Sequence, residues 1–173
     1  QGKWITHPFG EEETACPVFA KPFSLRKGVK RARIYATALG VYEIHVNGKK
    51  AGDAFFAPGW TNYRKRLQYQ TYDVTELLAG EKENLLEITV GNGWYKGIFG
   101  FTCTPAHYGS QVAALAELHI IYEDGTKEVI GTDTDWTVKT GSIRYSEIYM
   151  GETIDSTFKE SKAFSSVPFS YPM

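Results

Sequence analysis

The stretch V-K-R-A-R-I-Y-A-T-A-L-G-V-Y-E-I-H-V-N-G, residues 29–48, decides the fold class. Apolar and polar residues alternate from Val29 to Ala38 and again from Val41 to Val46, the period of a strand with one buried face. Gly40 marks a turn between the two runs, which therefore read as an antiparallel pair. Asn47-Gly48 is the dipeptide best suited to a tight turn with positive φ, and it leads into a second hairpin, K-K-A-G-D-A-F-F, until Pro58-Gly59 breaks the run.

Strand patterns continue at 67–74, 84–90, 112–122, 126–130, 135–140, 146–150 and 153–158, with a turn at Asp124-Gly125. A-A-L-A-E-L within 112–122 has helical propensity, but I-I-Y and the D-G turn follow at hairpin spacing and make it a strand. The clearest helical signal is D-V-T-E-L-L-A-G-E-K-E-N (73–84), capped by Asp73 or Thr75 and ended by Gly80; at about two turns it is a plug on a sheet. Eight or nine short strands with regular turn signals predict an all-β sandwich with one short helix, in a single domain spanning 1–173. The first 25 residues and the tail A-F-S-S-V-P-F-S-Y-P-M have no steady period and read as edge strands or connections to neighbouring domains.

Net charge is −1, from 19 basic and 20 acidic residues interspersed along the chain, which leaves no electrostatic footprint for nucleic acid or an anionic membrane. No apolar run approaches the roughly 20 residues of a membrane helix. The two cysteines, Cys16 and Cys103, are expected as reduced thiols. Aromatic residues make up 14% of the chain, a content typical of β-rich, sugar-facing modules.

V-G-N-G-W-Y-K-G-I-F-G-F (90–101) follows a strand and superficially resembles a dinucleotide fingerprint. That chemistry needs a helix N-terminus facing the pyrophosphate, and the continuation I-F-G-F-T-C-T-P-A-H-Y-G cannot supply a helix of about ten residues. The glycines instead predict a tight, irregular loop holding Trp94 and Tyr95 at a sandwich end, either as core or against the C–H face of a pyranose ring, with Asn92 beside them. P-G-W-T-N-Y-R-K-R (58–66) is a second loop of this kind: Trp60 and Tyr63 offer faces beside Asn62, Arg64 and Arg66, and the arginines supply forked donors that reach vicinal hydroxyls or a carboxylate. A solvated basic turn with one packed Trp is its plain structural alternative.

His7, His45, His107 and His119 show no paired spacing, so no metal site is assigned. Asp53, Asn62 and Asn92 could contribute to a calcium site, without any recognised loop pattern. Glu147, Glu152 and Asp155, and Asp133 and Asp135 before Trp136, are the carboxylates a self-sufficient glycosidase would have to use.

A-R-I-Y-A-T-A-L-G-V-Y-E-I-H-V-N-G-K-K-A-G-D (32–53), F-A-P-G-W-T-N-Y-R-K-R-L-Q-Y-Q-T-Y-D-V-T-E-L-L (56–78), G-N-G-W-Y-K-G (91–97) and I-R-Y-S-E-I-Y-M-G-E-T-I-D (143–155) together resemble the N-terminal β-sandwich domain of bacterial α-L-rhamnosidases, over a core of about 15–158. The resemblance implies a jelly-roll of the galactose-binding type ahead of a separate helical barrel that hydrolyses terminal L-rhamnose with inversion. It implies a non-catalytic accessory domain, whose partners are rhamnose-containing glycans or the remaining domains of the parent enzyme. The family's catalytic acids have no matching positions here. Some relatives use this domain as a calcium-dependent rhamnose-binding module, but no ligand set carries over to this chain. The family usually has Asp where Asn92 stands, and an amide there weakens any metal or charged contact. A lectin-like module unconnected to catalysis is the other reading. The compartment is left open, with a lean to a periplasmic or secreted setting.

Overall fold

The computed structural model describes residues 1–26, 28–78, 80, 83–100 and 103–171. Along the chain run β1 (Ile5–Thr6), β2 (Pro17–Ser24), β3 (Val29–Leu39), β4 (Val41–Val46), β5 (Lys49–Lys50), β6 (Gln70–Asp73), a 3₁₀ turn (Thr75–Leu77), β7 (Glu83–Gly91) and α1 (Gly93–Lys96). They are followed by β8 (Ala113–Tyr122), β9 (Lys127–Gly131), β10 (Thr137–Thr140), β11 (Ile143–Glu147), β12 (Gly151–Ile154), β13 (Phe164–Ser165) and β14 (Val167–Pro168).

Two antiparallel sheets form a jelly-roll-like sandwich. One has the order β14-β1-β8-β3-β6, with β9 continuing the β1 edge along β8; the other has the order β13-β10-β2-β7-β4-β5. β11 and β12 form a separate hairpin. The inward residues of β3 (Ala32, Ile34, Ala36, Ala38) and β8 (Ala114, Ala116, Leu118, Ile120) face those of β4 (Tyr42, Ile44, Val46) and β7 (Leu86, Ile88, Val90), and all are buried. The alternation seen in the sequence is the alternation of this core.

β3 and β4 are not the antiparallel pair that their patterns predicted. β3 pairs with β6 and β8, whereas β4 pairs with β5 and β7 in the opposite sheet. Gly40, at φ 140°, carries the chain across the sandwich, and a Cβ there would stand 2.3 Å from the Gly91 carbonyl oxygen. Alternation reports that each run has a core face; it cannot report whether two runs share a sheet or oppose each other. The Asn47-Gly48 and Asp124-Gly125 turns do form, joining β4 to β5 and β8 to β9.

The helix expected over 73–84 is reduced to the 3₁₀ turn, and its residues Ala79, Glu81 and Lys82 lie outside the described residues. Asp73 uses its carboxylate to accept hydrogen bonds from the Thr75 N–H (3.1 Å) and hydroxyl (2.7 Å), while β7 reclaims the chain from Glu83. The last expected strands shift to 143–147 and 151–154, because residues 148–150 form the hairpin turn.

Of the flanks, β1, β13 and β14 are short pieces near the sheet edges, but β2 is an interior strand between β10 and β7. Its Pro22 hid it from a strand reading. Pairing to β10 ends at Ala20, so Pro22 sits where β2 has one neighbour and its missing N–H leaves no gap in a ladder. Cys16 is buried and Cys103 exposed, and both are free thiols.

Candidate functional site

At one end of the sandwich the two aromatic loops meet. Tyr63 from the 58–66 loop and Tyr95 from α1 touch edge to face with ring centroids 5.5 Å apart, above Leu39 and Ala113. Both are buried, at 1% and 4% exposure, and their environment pushes both phenols above the ordinary range through desolvation. The Tyr63 hydroxyl donates to the Gly59 carbonyl at 3.0 Å, and the Tyr171 hydroxyl donates to the Tyr63 carbonyl. These two candidate sugar contacts are therefore the packed floor of the site.

The remaining candidates lie around that floor. Trp60 is 56% exposed, yet its indole N–H donates to the Tyr108 hydroxyl at 3.3 Å and its ring meets Phe99 edge-on at 5.3 Å. Arg64 donates to the His107 carbonyl at 2.9 Å, with its guanidinium 5.8 Å from the Tyr108 ring centroid. Asn62 is exposed and its side-chain oxygen accepts from the Arg64 N–H at 3.2 Å, which closes the turn. Trp94 is half-buried and leans on Phe56 at 6.1 Å. Asn92 is half-buried, and its side chain makes no capping bond to α1.

Within the glycine-rich segment Gly93–Lys96 form one α-helical turn and residues 97–100 remain irregular, while Phe101 and Thr102 lie outside the described residues. Close packing explains the turn. A Cβ on Gly93, which has φ 54°, would lie 2.7 Å from the Val41 nitrogen, and one on Gly97 would lie 2.3 Å from Glu147. Four residues cannot build the helix a dinucleotide site requires.

Phe56, Phe99, His107 and Tyr108 are site residues that the sequence pattern does not mark, and Phe55, next to Phe56, lines a neighbouring groove instead. Phe99, His107 and Tyr108 stack among themselves within 5.9 Å and fill the space between the two loops. The signal for the phenylalanines was their adjacency: of two consecutive bulky residues in a strand only one can face the core, and here the chain has left the sheet, so both are exposed.

The carboxylates serve local structure. Glu147 is buried and accepts from the Ile98 N–H at 2.8 Å, Asp155 accepts from the Thr157 N–H at 2.9 Å, and Asp133 accepts from the Asp135 N–H at 3.0 Å. Glu152 is exposed and accepts from the Ser146 hydroxyl at 3.0 Å. Among the described residues, no group of three or more His, Cys, Asp or Glu side chains converges on a metal-sized site.

A family profile described as "Alpha-L-rhamnosidase N-terminal domain" matches residues 27–171. An α-L-rhamnosidase of Streptomyces avermitilis is 43% identical over 96% of this chain, which spans 16% of that protein's length. The crystal structure of an α-L-rhamnosidase from Aspergillus terreus superposes with a TM-score of 0.92 at 35% identity, over 99% of this chain and 21% of that one. The crystal structure of a Streptomyces avermitilis α-L-rhamnosidase complexed with L-rhamnose superposes with a TM-score of 0.85 at 39% identity, over 92% of this chain and 16% of that one.

Proposed function

Because the chain belongs to the family of α-L-rhamnosidase N-terminal domains, we propose that it acts as the non-catalytic β-sandwich module of such a glycosidase and holds rhamnose-containing glycan beside a separate catalytic barrel. The observation that carries this reading is Trp60, whose large ring is open to solvent yet fixed by Tyr108 and Phe99. A ring held in place loses little entropy when a pyranose packs on it. Trp94, packed on the same aromatic floor, adds a second ring, and Asn62 and Arg64 on the Trp60 loop supply polar groups for hydroxyls, with Asn92 two residues before Trp94 as a further candidate.

Titration of the 173-residue chain with L-rhamnose, with and without calcium, tests the reading. The expected result is a dissociation constant of roughly millimolar to micromolar, weakened about tenfold by Trp60→Ala. Absence of heat or chemical-shift change in the parent chain overturns glycan recognition. No turnover of an aryl rhamnoside is expected; turnover lost in Glu152→Gln would instead establish a self-sufficient glycosidase.

A second reading, packing on the remaining domains of the parent enzyme, is favoured by Tyr149, Met150 and Ile154, three large apolar side chains exposed by about 60% on the β11–β12 hairpin.

A further inference from the structure

A groove of about 520 Å³ runs between the outer face of the β4–β7 pair and the β11–β12 hairpin. Its floor carries Glu43 and His45, one wall carries Phe55 and Phe56, and the other carries Ser146 and Glu152. That size lies within the roughly 300–1,000 Å³ of small-molecule sites. Gly91 shapes it: a Cβ there would stand 3.0 Å from the Ser146 hydroxyl oxygen, so glycine lets the hairpin rest against the end of β7.

We infer that this groove is a second saccharide subsite, selective for a neutral sugar unit. Two aromatic faces are presented to it. Phe55 is 77% exposed, and the Lys50 ammonium fixes its ring from 4.3 Å while pairing with Glu43 at 2.5 Å. Phe56 is 61% exposed and holds φ 54°, a conformation that costs a bulky side chain about 1–2 kcal/mol. Strain of this kind concentrates where a side chain is aimed at a ligand.

The polar groups set the preference. Glu43 and Glu152 are acceptors, matched to sugar hydroxyl donors, and one Glu152 oxygen and the His45 imidazole have no protein partner among the described residues. Glu147 adds a third carboxylate to the lining, against which stand Lys50, already paired with Glu43, and Lys96, whose charge reaches the lining Cys16. A uronate therefore meets net negative charge, whereas a hexose or deoxyhexose meets acceptors and rings. Phe56 also touches Trp94, so groove and rim adjoin and two sugar units of one chain reach both.

The groove does not depend on the rim being occupied, and calorimetry with three probes separates the two. The probes are L-rhamnose, a neutral rhamnosyl-glucose disaccharide and a rhamnosyl-galacturonate disaccharide. Expected is about tenfold tighter binding of the neutral disaccharide than of L-rhamnose, abolished by Phe55→Ala and by Glu152→Gln with L-rhamnose affinity unchanged, and no gain for the uronate. Both side chains are exposed, so an unchanged melting temperature verifies folding of these variants. Equal binding of mono- and disaccharide, or groove variants indistinguishable from the parent chain, overturns the subsite. Loss of L-rhamnose binding in Trp60→Ala with no effect of the groove variants leaves the rim standing and the groove refuted; the converse pattern supports the groove and refutes the rim.

Discussion

Single residues with similar letters have taken opposite roles. Tyr63 and Trp60 share a loop, but Tyr63 is floor and Trp60 is surface, because Tyr95 and Tyr108 from distant segments pack on Tyr63, whereas Tyr108 and Phe99 meet Trp60 and leave more than half of it open. No local pattern carries that information. Gly97 is equally dependent on its partner. Gly97→Ala forces a methyl into Glu147 and the Gly93 carbonyl, and the expected loss is about 1–3 kcal/mol, read as a lower melting temperature. His7 is buried, accepts from the Phe9 N–H and has its pKa lowered to about 4, first by desolvation and then by the Lys96 charge. Between the ordinary value of 6.5 and about 4 the unfolded chain binds a proton that the folded chain refuses. This contribution is complete above pH 6.5 and is lost as pH falls toward 4. His7→Gln should remove about 2 kcal/mol of the stability lost between about pH 7 and about pH 5, measured by denaturant unfolding at both.

Elements were legible where a strand keeps one buried face, and illegible where neighbours override propensity. β3, β4, β7 and β8 follow their patterns, while β2 was hidden by its prolines and the 73–84 helix shrank to a single 3₁₀ turn. Part of the reason is Asn47. This turn residue sits at φ 53° and ties β4 to the end of the 3₁₀ turn and the start of β7: its amide donates to the Leu77 carbonyl (2.9 Å) and the Asn84 side chain (2.8 Å) and accepts from the Leu85 N–H (2.9 Å). Those bonds hold the Leu77 carbonyl and the first residues of β7 against the β4 turn, so neither is given to a helical ladder. Asn47→Gly keeps the backbone conformation and loses the bonds, at an expected cost of about 1–3 kcal/mol. Asn47→Ala adds the left-handed penalty of roughly 1 kcal/mol, so its urea midpoint should fall below that of the glycine variant.

At the scale of the whole molecule, the tail closes the sandwich. β13 pairs with β10 in one sheet and β14 with β1 in the other, while Phe169 and Tyr171 pack on the aromatic cap and Ser166 donates to the Trp136 and Asp133 carbonyls. Truncation after residue 163 should therefore cost about 2–4 kcal/mol and expose the Tyr63–Tyr95 floor, seen as a lower melting temperature together with dye binding to apolar surface. It should also weaken the L-rhamnose binding proposed for the rim, because the floor that positions the rim loosens.

By itself the sequence determined that this protein is a β-sandwich, that its loops are aromatic and glycine-rich, and which family its motifs resemble; each of these is written in periods and short motifs of neighbouring residues. Only the tertiary structure decided that β3 and β4 belong to opposite sheets, that Tyr63 and Tyr95 are packed while Trp60 is open, and that Phe55, Phe56 and the β11–β12 hairpin enclose a groove. The physical reason is that period reports the face a residue turns to the core, whereas exposure and convergence depend on which distant segments come to lie against that face.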